Sequence, residues 1–207
     1  MDAAILAGGQ ARRFGGASKG ALRIGRASIF ERQLAALNGL VEQRLVDRIF
    51  VVSSQSGRLT DDRVRVVADR MPDAGALGGI YTALSECAGP HVLVIACDLP
   101  FLTTPLLERL VALADDEYDA VVPRTPDGLQ PLCAVYARRL VECAGRRVES
   151  GHLKVQDLLG AIRVRELGPD EIASIDPDGG LFFNVNTPGD LEQAVRLAAR
   201  TDRQADR

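Results

Sequence analysis

Residues 91–98, "HVLVIACD", decide the fold. From Val92 to Ala96 the run is purely aliphatic, with no alternation between polar and apolar positions. A strand that is apolar on both faces meets water on neither, so it belongs in a sheet that helices cover on both sides. Such sheets are mostly parallel. Asp98 ends the run, and a carboxylate at the end of a central strand is no solvated face residue. It is either a turn or cap former, or a group placed for chemistry.

Working outward, apolar runs at 3–7, 48–53 ("RIFVVS") and 64–68 ("VRVVA") repeat the pattern, and further strands are predicted at 118–122, 132–136 and 162–166. Helical patterns lie between them. Ser28-Ile29-Phe30-Glu31 is a capping box opening a helix whose predicted apolar face carries Phe30, Leu34, Leu37 and Val41. Helices are also predicted at 80–87, around 137–143 and around 153–159. Thr104-Pro105 and Thr187-Pro188 each read as an N-cap followed by proline in the first turn. This alternation predicts an α/β fold with a mostly parallel sheet. Residues 1–200 read as a single domain, with 201–207 as a polar tail.

Composition narrows the function. The chain has 207 residues, 46% of them hydrophobic and 26% charged, and a formal net charge of -3. A slightly acidic globular protein fits neither nucleic acid nor an anionic membrane surface as a partner. Cys87, Cys97, Cys133 and Cys143 form no CxxC pair, and His91 and His152 are the only histidines, so neither a zinc site nor a disulfide framework is indicated. No signal peptide and no long apolar span is predicted, which makes the cytoplasm the expected compartment.

The early strands share one property: each runs into a polar residue or a glycine loop. Ala7 leads to Gly8-Gly9, "FVV" to Ser53, "VVA" to Asp69 and "VIAC" to Asp98. The carboxyl ends of the strands in an open parallel sheet form the ligand crevice, so these residues are expected to meet at one edge. Polar turns alone would explain any one of them.

The first of these loops, "ILAGGQARRFGGASKG" (5–20), carries the strongest signal. Glycines let backbone N–H groups approach an anion, and Arg12, Arg13 and Lys19 supply compensating charge. That combination describes a polyphosphate cradle. It is neither a GxxxxGK[ST] loop nor a GxGxxG fingerprint, so the P-loop and dinucleotide-binding readings fail on spacing. Asp98 as a functional residue reads as a ligand of Mg²⁺, which prefers one or two carboxylates plus phosphate oxygens. Near the C-terminus, "FFNVNTP" (182–188) puts Asn184 and Asn186 on one face of an extended segment, with Phe183 and Val185 on the other. The two carboxamides are either turn formers or groups that hold a substrate or a cation-bound phosphate.

Taken together, "LAGGQARRFGGASKGAL", "GALGGI", "ACDLPFL" and "FFNVNTPGDL" resemble the molybdenum cofactor guanylyltransferases, over residues 3 to about 195. The glycine loop resembles the signature of nucleotidyltransferases at large; "FFNVNTP" points to the guanylyltransferase branch. The resemblance implies a three-layer α/β/α nucleotidyltransferase fold and transfer of GMP from GTP to molybdenum-carrying molybdopterin, releasing pyrophosphate. It implies that Leu6, Ala7, Gly8, Gly9 and Asp69 contact the nucleotide and that Lys19 acts on its phosphates; Arg13 would join Lys19 there, and Asp69 is a candidate reader of guanine because a carboxylate accepts from N1–H and the 2-amino group together. It further implies that Asp98 binds Mg²⁺ and GTP, and that Asn184 and Asn186 lie on the molybdopterin side. Ser53 stands on the GTP side where Asn is expected, and Ser18 where Asp is common. Cofactor-insertion proteins and molybdoenzymes would lie downstream. Competing readings are a cytidylyltransferase making the cytosine form of the cofactor, a sugar-phosphate nucleotidyltransferase, and a non-catalytic nucleotide-binding adaptor.

Overall fold

The computed structural model describes residues 1–8, 19–54 and 64–205. Its strands are β1 (Asp2–Leu6), β2 (Arg23–Ile24), β3 (Ala27–Ser28), β4 (Arg48–Ser53), β5 (Arg65–Ala68), β6 (His91–Ala96), β7 (Ala120–Thr125), β8 (Gly128–Leu129), β9 (Cys133–Ala137) and β10 (Val164–Leu167). Its α-helices are α1 (Ile29–Glu42), α2 (Gly75–Glu86), α3 (Thr104–Ala112), α4 (Val141–Glu149), α5 (Val155–Leu159), α6 (Pro169–Ile175) and α7 (Pro188–Ala205).

The main sheet has the order β10-β7-β9-β6-β1-β4-β5, with β8 attached to β7. β6, β1, β4 and β5 run parallel, as do β7 and β10. β9 runs antiparallel to both β6 and β7. The run that decided the fold is buried along its whole length in β6. Leu93 and Ile95, with Ala3, Ile5 and Val51, face a layer built from α1, α3 and α6. Val92 and Val94, with Ala4, Leu6 and Val52, face α2, α4 and α5. This is the three-layer α/β/α arrangement, and its cause is period-two alternation within strands that are apolar on both sides. A fully buried side chain such as Ile95 contributes about 1.5–3 kcal/mol.

The capping box forms as predicted. Ser28 Oγ accepts from the Glu31 amide at 3.1 Å, and Glu31 Oε2 accepts from the Ser28 amide at 2.6 Å. Four local expectations need correction. Val41 is 38% exposed and is not part of the buried face of α1. Thr103, not Thr104, is the N-cap of α3; the Thr104 hydroxyl instead donates to the Ala36 carbonyl at 3.0 Å and ties α3 to α1. The predicted 80–87 helix begins at Gly75, and the predicted 118–122 strand is shifted to Ala120–Thr125. The β2–β3 hairpin and α6 were not predicted, because two-residue strands and a seven-residue helix carry too little periodicity.

A smaller apolar cluster lies outside the main layers. Ile24, Ile29, Val185, Ala194 and Ala198 are buried together, with Phe101 and Phe183 packed against them. It docks the 183–186 segment and α7 against the β2–β3 hairpin. No described helix is long and apolar enough to cross a membrane.

Candidate active site

Parallel pairing of β6, β1, β4 and β5 puts their carboxyl ends side by side, so Asp98, Gly8, Ser53 and Asp69 reach the same sheet edge. A cavity of about 210 Å³ opens there, lined among others by Leu6, Gly8, Lys19, Asp69, Cys97 and Asp98. Ala7 and Ser53 flank it without lining it. Ala7 donates to the Val52 carbonyl at 2.8 Å, and the Ser53 carbonyl accepts from the Asp69 amide at 2.9 Å. Those bonds align the strand ends. Gly9 and Arg13 lie outside the described residues.

Lys19 opens a short 3₁₀ turn (Lys19–Ala21) that leads into the β2–β3 hairpin. Its ammonium sits 3.1 Å from Asp98 Oδ2 and 2.5 Å from Asn186 Oδ1. Three segments far apart in the chain thus converge on one cation. The backbone supports the arrangement, because Val185 N–H donates to the Asp98 carbonyl at 2.9 Å and brings the asparagine segment against the end of β6. Asp190 Oδ2 accepts from the amides of Asn186 and Thr187 at 2.9 and 2.8 Å, while the Thr187 hydroxyl accepts from the Asp190 amide at 3.2 Å. The Thr187-Pro188 start of α7 is therefore a true cap.

Asp98 keeps one oxygen in reserve. Among the described residues, Oδ1 is buried and has no hydrogen-bond partner, which is costly for a carboxylate unless something else occupies it. No cluster of three or more His, Cys, Asp or Glu side chains gathers among the described residues. A single unpartnered carboxylate oxygen beside a phosphate-sized cavity fits Mg²⁺, which takes few protein ligands and keeps waters and phosphate oxygens. Neighbouring Cys97 is inert: burial, reinforced by the Asp98 charge, pushes its thiol up to about 12. It stays protonated at neutral pH and is no nucleophile.

Asp69 is more committed than sequence alone suggests. Its Oδ1 accepts from the Met71 amide at 3.0 Å and from the Thr82 hydroxyl at 2.9 Å. Oδ2 is the oxygen left without a partner among the described residues. Thr82 is wholly buried and also accepts from the Arg70 amide at 3.0 Å. This orienting threonine carries no signal in the sequence, since nothing marks a helical Thr as facing a strand end.

The "GALGGI" motif acquires a physical role. Gly75, at φ +59°, starts α2 on the cavity wall with Ala76, and Ala74 provides no side-chain cap. An uncapped helix start beside the cavity offers amide groups to an anion. A Cβ on Gly79 would lie 3.1 Å from Leu6 Cδ1, so glycine there lets α2 approach β1 closely.

The asparagines part company. Asn186 joins Lys19, whereas Asn184 lines a second, larger cavity of about 810 Å³ with Arg124, Thr125, Gln130, Phe182 and Phe183. Val185 is fully buried, as the alternation predicts, and Phe183 half-buried.

Comparison with known proteins places this geometry. Residues 3–164 match the family described as MobA-like NTP transferase domain. The chain is 32% identical to a molybdenum cofactor guanylyltransferase of Desulfosudis oleivorans, covering 94% of this chain and 95% of that one. It is 34% identical to a probable molybdenum cofactor guanylyltransferase of Pelotomaculum thermopropionicum, with coverage of 96% and 95%. Among solved structures, the molybdopterin-guanine dinucleotide biosynthesis protein A of Archaeoglobus fulgidus superposes with a TM-score of 0.80 at 25% identity, covering 97% of this chain and all of that one.

Proposed function

This chain belongs to the MobA-like NTP transferase family, and from that premise we propose that it transfers GMP from GTP to molybdenum-carrying molybdopterin, with Mg²⁺ as its metal. The observation that carries the reading is the Lys19–Asp98–Asn186 cluster at the edge of the crevice, with a buried carboxylate oxygen left open. In this reading Leu6, Ala7, Gly8 and Gly9 receive the nucleotide backbone-first, and Ser53 flanks it from the end of β4. Lys19 leaves Asp98 for the phosphates, and Arg13 joins it there. Bound to Asp98, Mg²⁺ would neutralise charge on the phosphates.

A terminal phosphate oxygen of molybdopterin attacks the α-phosphorus of GTP. The new P–O bond forms as the bond to the bridging oxygen of the departing pyrophosphate breaks. An anionic nucleophile needs no general base, so positioning and charge compensation suffice. That agrees with a cavity wall that has no histidine among the described residues and with a protonated Cys97. Asp69 offers one acceptor oxygen, Oδ2, to a base N–H rather than the two-oxygen grip expected for guanine. Asn184 opens onto the larger neighbouring cavity, which gives molybdopterin a place beside the nucleotide. The enzyme would act in the cytoplasm, ahead of cofactor-insertion proteins and molybdoenzymes.

The test is a pyrophosphate-release assay with Mg²⁺, molybdenum-loaded molybdopterin and GTP and CTP in competition. Pyrophosphate released in step with guanine dinucleotide product is the expected result. Product built from CTP would make this a cytidylyltransferase, and no release with either nucleotide would leave a binding adaptor.

A further inference from the structure

Gln33 is one of four buried polar or charged residues among the described residues. It lies on α1, is 1% exposed, and takes no part in the crevice. Its Nε2 donates to the Ala96 carbonyl at 2.7 Å and to the Leu99 carbonyl at 3.0 Å. Those carbonyls bracket Cys97 and Asp98, 63 and 66 residues away in the chain. Its Oε1 is buried without a partner among the described residues. A residue kept only to fill space would be leucine or methionine, which avoid the penalty of an unsatisfied carbonyl oxygen. What a carboxamide adds here is two N–H donors aimed at the backbone on either side of the carboxylate.

Other bonds complete the clamp. Cys97 N–H donates to the Leu6 carbonyl at 3.1 Å, and the Asp98 carbonyl accepts from Val185 N–H at 2.9 Å. The first ties the turn to β1, the second to the asparagine segment. Gln33 ties it to the opposite layer, where Thr104 fastens α1 to α3. A turn held from three sides fixes the backbone from which the Asp98 carboxylate projects.

We propose that Gln33 is a positioning residue for Asp98: by fixing the Ala96–Leu99 turn through α1, it sets the orientation of the carboxylate toward a divalent cation. The inference rests on the reading of Asp98 as the metal ligand. Groups that orient a metal ligand without touching the metal are worth about 10- to 100-fold in affinity, and the same range is expected here.

The experiment measures Mn²⁺ binding by electron paramagnetic resonance, in the presence of a GTP analogue with a methylene bridge between the α- and β-phosphates. Analogue binding is measured separately in chelator. Gln33→Met keeps the volume and loses both donors; Gln33→Glu keeps the shape and turns acceptors toward the two carbonyls. Either folded variant should weaken Mn²⁺ binding at least tenfold while leaving metal-free binding of the analogue unchanged, a split that a general loss of structure would not produce. Mn²⁺ affinity within twofold of the wild type in a folded variant overturns the inference, provided Asp98→Asn abolishes binding. If Asp98→Asn itself binds Mn²⁺ normally, the metal-ligand reading falls and the role of Gln33 falls with it. Failure of both Gln33 variants to fold would make the residue structural and overturn the inference too.

Discussion

Lys19 shows how much of the site depends on single contacts. Its ammonium is held by Asp98 and Asn186 at 3.1 and 2.5 Å, and the Asn186 side chain is otherwise exposed. If Asn186 acts by steering Lys19, the two residues belong to one unit, and a double-mutant cycle tests that directly. Lys19→Met should lower kcat/KM for GTP about 100-fold, by removing charge that the phosphates need. Asn186→Ala should lower it about tenfold, in line with one charge-assisted hydrogen bond. Combined, the losses should fall well short of their product. Fully multiplicative losses would mean that Asn186 works elsewhere, as a contact to the second substrate would require. The sequence marked Lys19, Asp69 and Asp98 because charges at strand ends stand out against apolar runs. It did not mark Gln33 or Thr82, whose roles come from tertiary neighbours that no spacing encodes.

At the scale of elements, glycines serve different ends: Gly78 on α2 fits the fold together, whereas Gly8, just past the end of β1, leaves space open on the cavity wall. A Cβ at Gly78 would sit 2.4 Å from the Met71 carbonyl oxygen and 2.9 Å from Ala74 Cβ. Backbone cannot yield as a flexible side chain does, so Gly78→Ala should cost about 2 kcal/mol or more. For a chain of this length that is a fall of about 4–8 °C in the thermal midpoint. Gly8 is the contrast: a Cβ there meets nothing within 4 Å among the described residues. Gly8→Ala should leave the midpoint unchanged while weakening GTP binding, because the methyl group projects where the backbone must approach phosphate. Calorimetry on the two variants separates these roles, and a Gly78→Ala protein as stable as the wild type would refute the clash. Elements such as β4 and the capped start of α1 were legible because residue pattern and end signals agreed. The direction of β9 was not, since an apolar run reads alike in parallel and antiparallel pairing and only the connection distinguishes them.

Across the whole molecule, charged groups stand at both ends of the sheet. The carboxyl ends hold Asp69, Asp98 and Lys19. The amino ends hold structural pairs, chief among them Asp2 and Arg48, which begin neighbouring strands in register. Asp2 is 2% exposed; it accepts from Arg48 Nε at 3.1 Å and Nη2 at 2.5 Å, and from the Ala88 amide at 2.8 Å. No sequence rule selects a partner 46 residues distant, so this pole of the molecule was invisible until the strands were paired. Burial, the largest influence, pushes the Asp2 carboxyl up, but the Arg48 and Ala88 hydrogen bonds and the Arg48 charge outweigh it and hold the group below its ordinary value of 3.8. A carboxyl lowered in the folded state stabilises the protein fully above the unfolded value and loses that contribution as pH falls through the folded one. Asp119, which begins from the same upward push of burial and is pulled down by the Arg163 amide and by Arg139, adds to the same trend. Thermal midpoints should therefore fall as pH drops from about 5 to about 2. Asp2→Asn should be less stable than the wild type at neutral pH, and the gap between them should narrow across that acid range as the wild-type carboxylate is protonated. A gap that stays constant with pH would show that ionised Asp2 does not anchor this end of the sheet.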